Sequence, residues 1–229
     1  MLVAGTLCAA RHWRDYGYVA TLARDWRVIN VDPLGHGDSD TPHDADSYQA
    51  AGVTADLVAV LDAEGIDRAT VWGYSRGGWL ACSLASHYAD RVERIVVAAY
   101  AMNAHQEEAG RLLAPLAGFL REGDWSSLWM ALRISDREFQ EMMQDSNDPL
   151  AVARPSMARF GRRDSSIHPQ SAAPQRITSD PKTGSCRTCM ADVDSLGATL
   201  DIIEGQGHMG SFFAAAEPAL TIVTARLAQ

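Results

Sequence analysis

The sequence predicts an α/β fold: a mostly parallel sheet with helices on both faces and a helical segment inserted late in the order. Three observations carry this prediction. Short, largely apolar runs of the sort found in buried parallel strands recur at Leu2-Val3-Ala4, Val28-Ile29-Asn30-Val31, Thr70-Val71-Trp72 and Ile95-Val96-Val97-Ala98-Ala99. Between them lie stretches with apolar residues at helical spacing, and strand alternating with helix builds a parallel sheet. After about residue 102 the alternation stops and helical patterning dominates.

The first strand, Leu2-Val3-Ala4, runs into a loop at Gly5-Thr6. Trp13, Val19, Ala20 and Leu22 then suggest a helix ending near Arg24, followed by a second strand over Arg27 to Asp32. Asp32-Pro33-Leu34-Gly35-His36-Gly37-Asp38-Ser39-Asp40 packs turn formers so densely that it reads as the loop at that strand's end. A helix carrying Val53, Leu57, Val60 and Leu61 ends at Gly65, a residue suited to a helix C-terminus. A strand through Ala69-Thr70-Val71-Trp72 follows, then a helix with Leu80, Leu84 and Tyr88 on one face, then the strand at Ile95.

From Asn103 to Gly161 the pattern is helical, with Leu112, Leu116, Leu120, Trp125, Trp129, Phe139 and Met143 at helix-like spacings. The expected division is a core of residues 1–102 and 162–229 with 103–161 as a helical cap over the open end of the sheet. Arg162 to Arg187 is rich in Ser, Pro, Arg and Asp, and only Gln175 to Ser179 can serve there as a strand. Ala198 to Ile203 reads as the last strand, Glu204-Gly205-Gln206-Gly207-His208 as a glycine-flanked loop, and Phe212 to Leu227 as the closing helix.

A chain of 229 residues with 47% hydrophobic content can bury one sizeable core. Its formal net charge of -9 disfavours binding to phosphate backbones, so nucleic acid is not an expected partner. No apolar run reaches the length of a membrane span, and the apolar N-terminus lacks the basic leader of a secretion signal. The expected location is cytoplasmic, and nothing in the composition argues against a homo-oligomer. Cys8 and Cys82 fall in segments that read as buried; Cys186 and Cys189 form a lone Cys-x-x-Cys pair without a second pair or a nearby histidine, so no metal site is expected.

Chemistry is concentrated at Gly73-Tyr74-Ser75-Arg76-Gly77, where a strand gives way to a helix through a Gly-x-Ser-x-Gly pattern. A serine hydroxyl is a weak nucleophile near neutral pH and needs a base, itself oriented by a third group. Among the seven histidines His208 follows a strand on a glycine loop, whereas His36 lies in an early turn that it would hold together. For the acid, Asp180 follows the strand at Ile177, and a strand's C-terminal end is where open α/β sheets place chemistry. Asp164, Asp192 and Asp194 are the alternatives.

Ser75, Asp180 and His208 in this chain order resemble the α/β-hydrolase superfamily. The loops Asp32 to Ser39 and Gly205 to His208 are similar to that superfamily's as well, and the likeness covers nearly the whole chain. The resemblance implies an oxyanion held by the backbone N–H groups of Thr6 and Arg76. Members usually have His-Gly where this chain has Ala4-Gly5, which leaves the backbone donor in place. They also carry two further strands before the one at Leu2, so the resemblance implies either a member whose first strands are missing, with a sheet edge exposed, or an edge covered by another segment or a partner subunit. The implied activity is cofactor-independent hydrolysis of a small, fairly apolar carboxylic ester. Carbon-carbon bond hydrolysis or lactone opening with the same residues, and a non-catalytic binding protein on the same fold, are the alternatives.

Overall fold

A computed structural model of the chain describes residues 1–100, 106–153, 174–178, 199–206 and 208–228. Six strands form one sheet: β1 (Leu2–Val3), β2 (Asn30–Val31), β3 (Ala69–Tyr74), β4 (Val92–Ala98), β5 (Pro174–Thr178) and β6 (Thr199–Ile202). Their spatial order is β2-β1-β3-β4-β5-β6 and every pairing is parallel. Leu2 thus lies opposite both Asn30 and Trp72, so β1 is an interior strand and the sheet ends at β2 and β6.

The pleat sorts the apolar residues between two cores. Leu2, Trp72, Tyr74 and Val96 face one layer, while Val3, Val71, Ile95 and Val97 face the other, as a side-chain period of two requires. The first layer is closed by α1 (Ala10–Asp15) and α2 (Tyr18–Leu22) together with α9 (Gly210–Phe213) and α10 (Ala216–Leu227). The second is closed by α3 (Ala50–Ala63) and α4 (Arg76–His87), through Val53, Leu57, Leu61, Leu80 and Leu84. Helices therefore cover both faces, as the sequence predicts.

Several boundaries differ from the sequence reading for local reasons. The single helix expected before Arg24 is two short ones, because Gly17 adopts a left-handed φ of 81° between them. The second strand shrinks to Asn30–Val31, and the closing helix is interrupted between Phe213 and Ala216. Gly65 ends α3 with a φ of 65°, as expected.

Between β4 and β5 the described residues form α5 (Gln106–Glu122), α6 (Trp125–Leu132), α7 (Arg137–Gln144) and α8 (Pro149–Ala153). Asp124 and Asp136 cap α6 and α7 by accepting from the backbone N–H groups of Ser127 and Phe139. Leu116, Leu120, Leu128, Trp129 and Met143 are buried against the α1/α10 layer, whereas Met130 is 77% exposed. No helix among the described residues is long and apolar enough to cross a membrane.

Candidate active site

Ser75 sits between the last residue of β3 and the first of α4, at φ 53° and ψ -117°. A non-glycine residue in this region is strained, and such strain persists only where its surroundings hold it. Here the Ser75 N–H donates to the Ala98 carbonyl at the end of β4 (2.8 Å), and its own carbonyl accepts from Gly78 (2.9 Å). The flanking glycines are required by close approach. A Cβ on Gly73 would overlap the Gly77 carbonyl, and one on Gly77 would overlap the Val3 carbonyl of β1.

His208 comes to this turn from the other end of the chain. Its Nε2 lies 3.0 Å from Ser75 Oγ, so the hydroxyl can donate to a neutral imidazole. The His208 main chain is fixed by two donors to its carbonyl: the Tyr74 hydroxyl at 2.7 Å and Ser211 Oγ at 2.8 Å. Beneath it Phe212 packs edge-to-face on Trp13 (4.6 Å between centroids) and against Tyr74 (4.7 Å), and the Tyr18 hydroxyl donates to the Phe212 carbonyl (2.8 Å).

By surface area His208 is exposed, yet protein atoms crowd its imidazole and this desolvation pushes its pKa down to about 4. A lowered pKa leaves the imidazole neutral at pH 7 and able to accept a proton.

Arg76 opens α4, so its backbone N–H lies outside the helix's own ladder. Its side chain is only 1% exposed, and Nε and Nη1 have no hydrogen-bond partner among the described residues. Burial lowers its pKa to about 10, which still leaves it charged at neutral pH. His36 is its neighbour and is also buried, with Nε2 unpartnered; burial first, then the Arg76 charge, push its pKa down to about 3. His36 Nδ1 lies 3.3 Å from the Leu34 carbonyl, a loop-holding role in keeping with its place in the turn.

Thr6 lies on the loop after β1. Among the described residues its N–H donates to no backbone carbonyl. The next residue, Leu7, has a left-handed φ of 65°, and its carbonyl accepts from Asn147 Nδ2 (2.9 Å) in the turn between α7 and α8. The Gly37 N–H donates to the Ser146 carbonyl in the same turn (3.0 Å), and Arg11 Nη2 to the Met142 carbonyl in the last turn of α7 (2.6 Å).

The family model described as alpha/beta hydrolase fold matches residues 2–122, just over half of the chain. The chain belongs to the alpha/beta hydrolase fold family. Relatives in this family include the 2-hydroxymuconate semialdehyde hydrolase of Pseudomonas sp. strain CF600, 37% identical over 98 residues that make up 42% of this chain and 34% of that protein. The chain spans about a third of the length of such curated relatives. Among solved structures, an alpha/beta hydrolase enzyme from a Medee basin deep-sea metagenome library superposes with a TM-score of 0.85 at 16% identity, covering 100% of this chain and 88% of that one. The enol-lactonase of Burkholderia xenovorans LB400 does so at 0.80 and 20% identity, covering 100% and 91%. At these identities the likeness speaks to the fold.

In this alpha/beta hydrolase fold, Ser75 and His208, 133 positions apart, are brought into contact, with Arg76 adjoining. Asp180 lies outside the described residues, as do Asp164, Asp192, Asp194, Cys186 and Cys189; β5, the strand leading to Asp180, is present and ends at Thr178. Cys8 and Cys82 are both buried. A groove of about 620 Å³ runs along the outer side of β2, lined by Asn30, Leu34, Asp38, Leu57 and Val60 among others, and neither Ser75 nor His208 lines it. Sequence reasoning passed over Tyr74, Asn147 and the Arg76 side chain. The first two act on main-chain carbonyls far away in sequence, and such bonds leave no pattern. The third was visible as a lone basic residue, between Ser75 and Gly77, at the start of a helix that reads as buried.

Proposed function

We propose that the chain is a cofactor-independent serine hydrolase of small, fairly apolar carboxylic esters. The observation that carries this reading is the 3.0 Å approach of His208 Nε2 to Ser75 Oγ on a strained strand-to-helix turn. Ser75 attacks the ester carbonyl as His208 takes the hydroxyl proton. The new Oγ–C bond places a negative charge on the carbonyl oxygen, which the backbone N–H groups of Thr6 and Arg76 receive. When the carbonyl re-forms, the C–O bond to the alcohol breaks and His208 returns the proton to the departing oxygen. Water, deprotonated in turn by His208, releases the acyl group from Ser75.

Asp180 is the residue proposed to orient the imidazole through Nδ1, since it follows β5 and stands between Ser75 and His208 in the order of this family's triads. Residues 103–161 are assigned as the cap whose packing shapes the acyl pocket, over a core of 1–102 and 162–229. The enzyme is proposed to act in the cytoplasm on a small molecule, and a homo-oligomer is compatible with it.

The relatives named for semialdehyde hydrolysis and enol-lactone opening support a second reading, carbon-carbon bond hydrolysis or lactone opening by the same three residues. Short p-nitrophenyl esters, lactones and vinylogous diketones assayed side by side separate the two. The ester reading predicts the highest kcat/KM on the esters and a loss of at least about a thousandfold in Ser75→Ala. Turnover retained by Ser75→Ala removes both readings.

A further inference from the structure

We infer that His12 is a positioning residue for the reaction at Ser75: its Nδ1 holds the Ala9 N–H and thereby fixes the turn at Gly5–Cys8, which carries the Thr6 donor assigned to the oxyanion. This rests on the serine-hydrolase reading and deepens it, since that reading uses Thr6 and not the group that holds its turn.

The turn lies directly against the nucleophile. A Cβ on Gly5 would meet the Tyr74 carbonyl oxygen at 2.9 Å and Ser75 Cβ at 3.0 Å. The Cys8 N–H closes the turn by donating to the Gly5 carbonyl (3.0 Å), with Thr6 and Leu7 as its two central residues. Leu7, at φ 65°, stands where such a turn favours glycine. A leucine there is strained, and the strain persists only where the surroundings hold it. The next two N–H groups are both held. Ala9 donates to His12 Nδ1 (3.1 Å), and Ala10 to Oδ1 of Asp32, just past β2 (2.6 Å).

His12 is 0% exposed. Burial first, then the Arg11 charge, lower its pKa to about 4, with Asp15 opposing. The imidazole is therefore neutral at pH 7, with one nitrogen able to accept and the other carrying the proton. A backbone N–H can only donate, so the acceptor is Nδ1 and the proton is on Nε2. Nε2 lies 3.4 Å from Ser146 Oγ, which donates its own hydrogen to the Met142 carbonyl (2.7 Å) and so presents a lone pair to the ring. The ring also stands edge-on to Phe213 of α9, 6.0 Å between centroids. One imidazole is thus seated between its own helix, the α7–α8 turn and α9. Capping a helix asks only for a polar side chain within reach; a ring seated on three sides holds the Ala9 N–H at one place.

A donor already in place when charge develops needs no reorganisation at that moment. The oxyanion exists only beyond the ground state, so a loosened donor lowers kcat and leaves KM alone.

Two substitutions separate Nδ1 from the rest of the ring. His12→Asn puts an amide oxygen near the place of Nδ1, whereas His12→Gln reaches toward Ser146 and leaves the Ala9 N–H without that acceptor. Full-length wild type and both variants are compared by thermal unfolding, by steady-state kinetics on p-nitrophenyl acetate, and by inhibition with phenylboronic acid, which forms a tetrahedral anion on an active serine.

His12→Gln is expected to lower kcat about tenfold or more with KM within about twofold, and to weaken phenylboronic acid by a similar factor. His12→Asn, the conservative replacement, is expected to rescue both to within about threefold of wild type. Equal losses in the two variants overturn the inference, since the ring would then matter by its bulk. So does a His12→Gln that lowers Tm and keeps wild-type kcat, which would confine His12 to capping α1. Should His12→Gln not fold, His12→Asn decides alone: boronate affinity near wild type upholds the assignment, and a loss beyond about threefold overturns it. Failure of the hydrolase reading looks different: wild type then turns over no ester, and Ser75→Ala behaves like it.

Discussion

Tyr74 illustrates how one buried residue serves two elements. Its ring packs against Phe212, and its hydroxyl donates to the His208 carbonyl, tying the histidine loop to the strand that ends at Ser75. Burial raises the phenol's pKa well above its ordinary value, so it remains a donor throughout the working range. Tyr74→Phe preserves the ring contact and removes only the hydroxyl, with its bond to the His208 carbonyl and its longer contact to Met209 Sδ (3.7 Å). The expected loss is about 1 kcal/mol, or roughly 2–4 °C in Tm. A several-fold fall in kcat should accompany it, because the His208 main-chain carbonyl then accepts from Ser211 alone. Calorimetry and steady-state kinetics on the purified variant check both, and an unchanged kcat would show that Tyr74 does not position His208.

At the scale of elements, the turn between α7 and α8 is where the helical segment grips the loop after β1. Asn147 Nδ2 donates to the Leu7 carbonyl and also to the Met143 carbonyl (2.7 Å), bridging its own helix to a residue held at positive φ. If Thr6 supplies an oxyanion donor, Asn147 sets where that donor points. Asn147→Ala is expected to cost about 1–3 kcal/mol, lowering Tm by several degrees. It should also lower kcat about tenfold with little change in KM, the pattern of a lost transition-state interaction. A variant that loses stability but keeps kcat would confine Asn147 to fastening the helices.

At the scale of the molecule, the α/β class was legible because the four early strands are apolar runs with helical spacing between them, and the pleat then sorts Trp72 from Val71 and Val96 from Val97 as the period demands. Ser75 was legible because the glycines around it answer a steric need that any larger residue would violate at the Gly77 and Val3 carbonyls. His208 was found by its loop, and its contact with Ser75 depends on the whole sheet lying between them. The short extent of β2 and the break at Gly17 were not legible, since both are set by packing and backbone angle rather than by pattern. Nor was the lack of a partner for Arg76 Nε and Nη1 among the described residues, which is a property of everything around them.

The central claim is that Ser75 is a nucleophile activated by neutral His208. It is tested most directly by the rate at which a fluorophosphonate labels the folded chain, followed by intact mass and peptide mapping from acid to neutral pH. The account predicts a single adduct, on Ser75, and a rate at least about a hundredfold lower in His208→Ala. Because burial lowers the imidazole pKa below its ordinary 6.5, the neutral base persists to more acid pH, and the labelling rate should fall only below 6.5. No adduct on Ser75 in folded protein, or labelling at the same rate in His208→Ala, would contradict the claim.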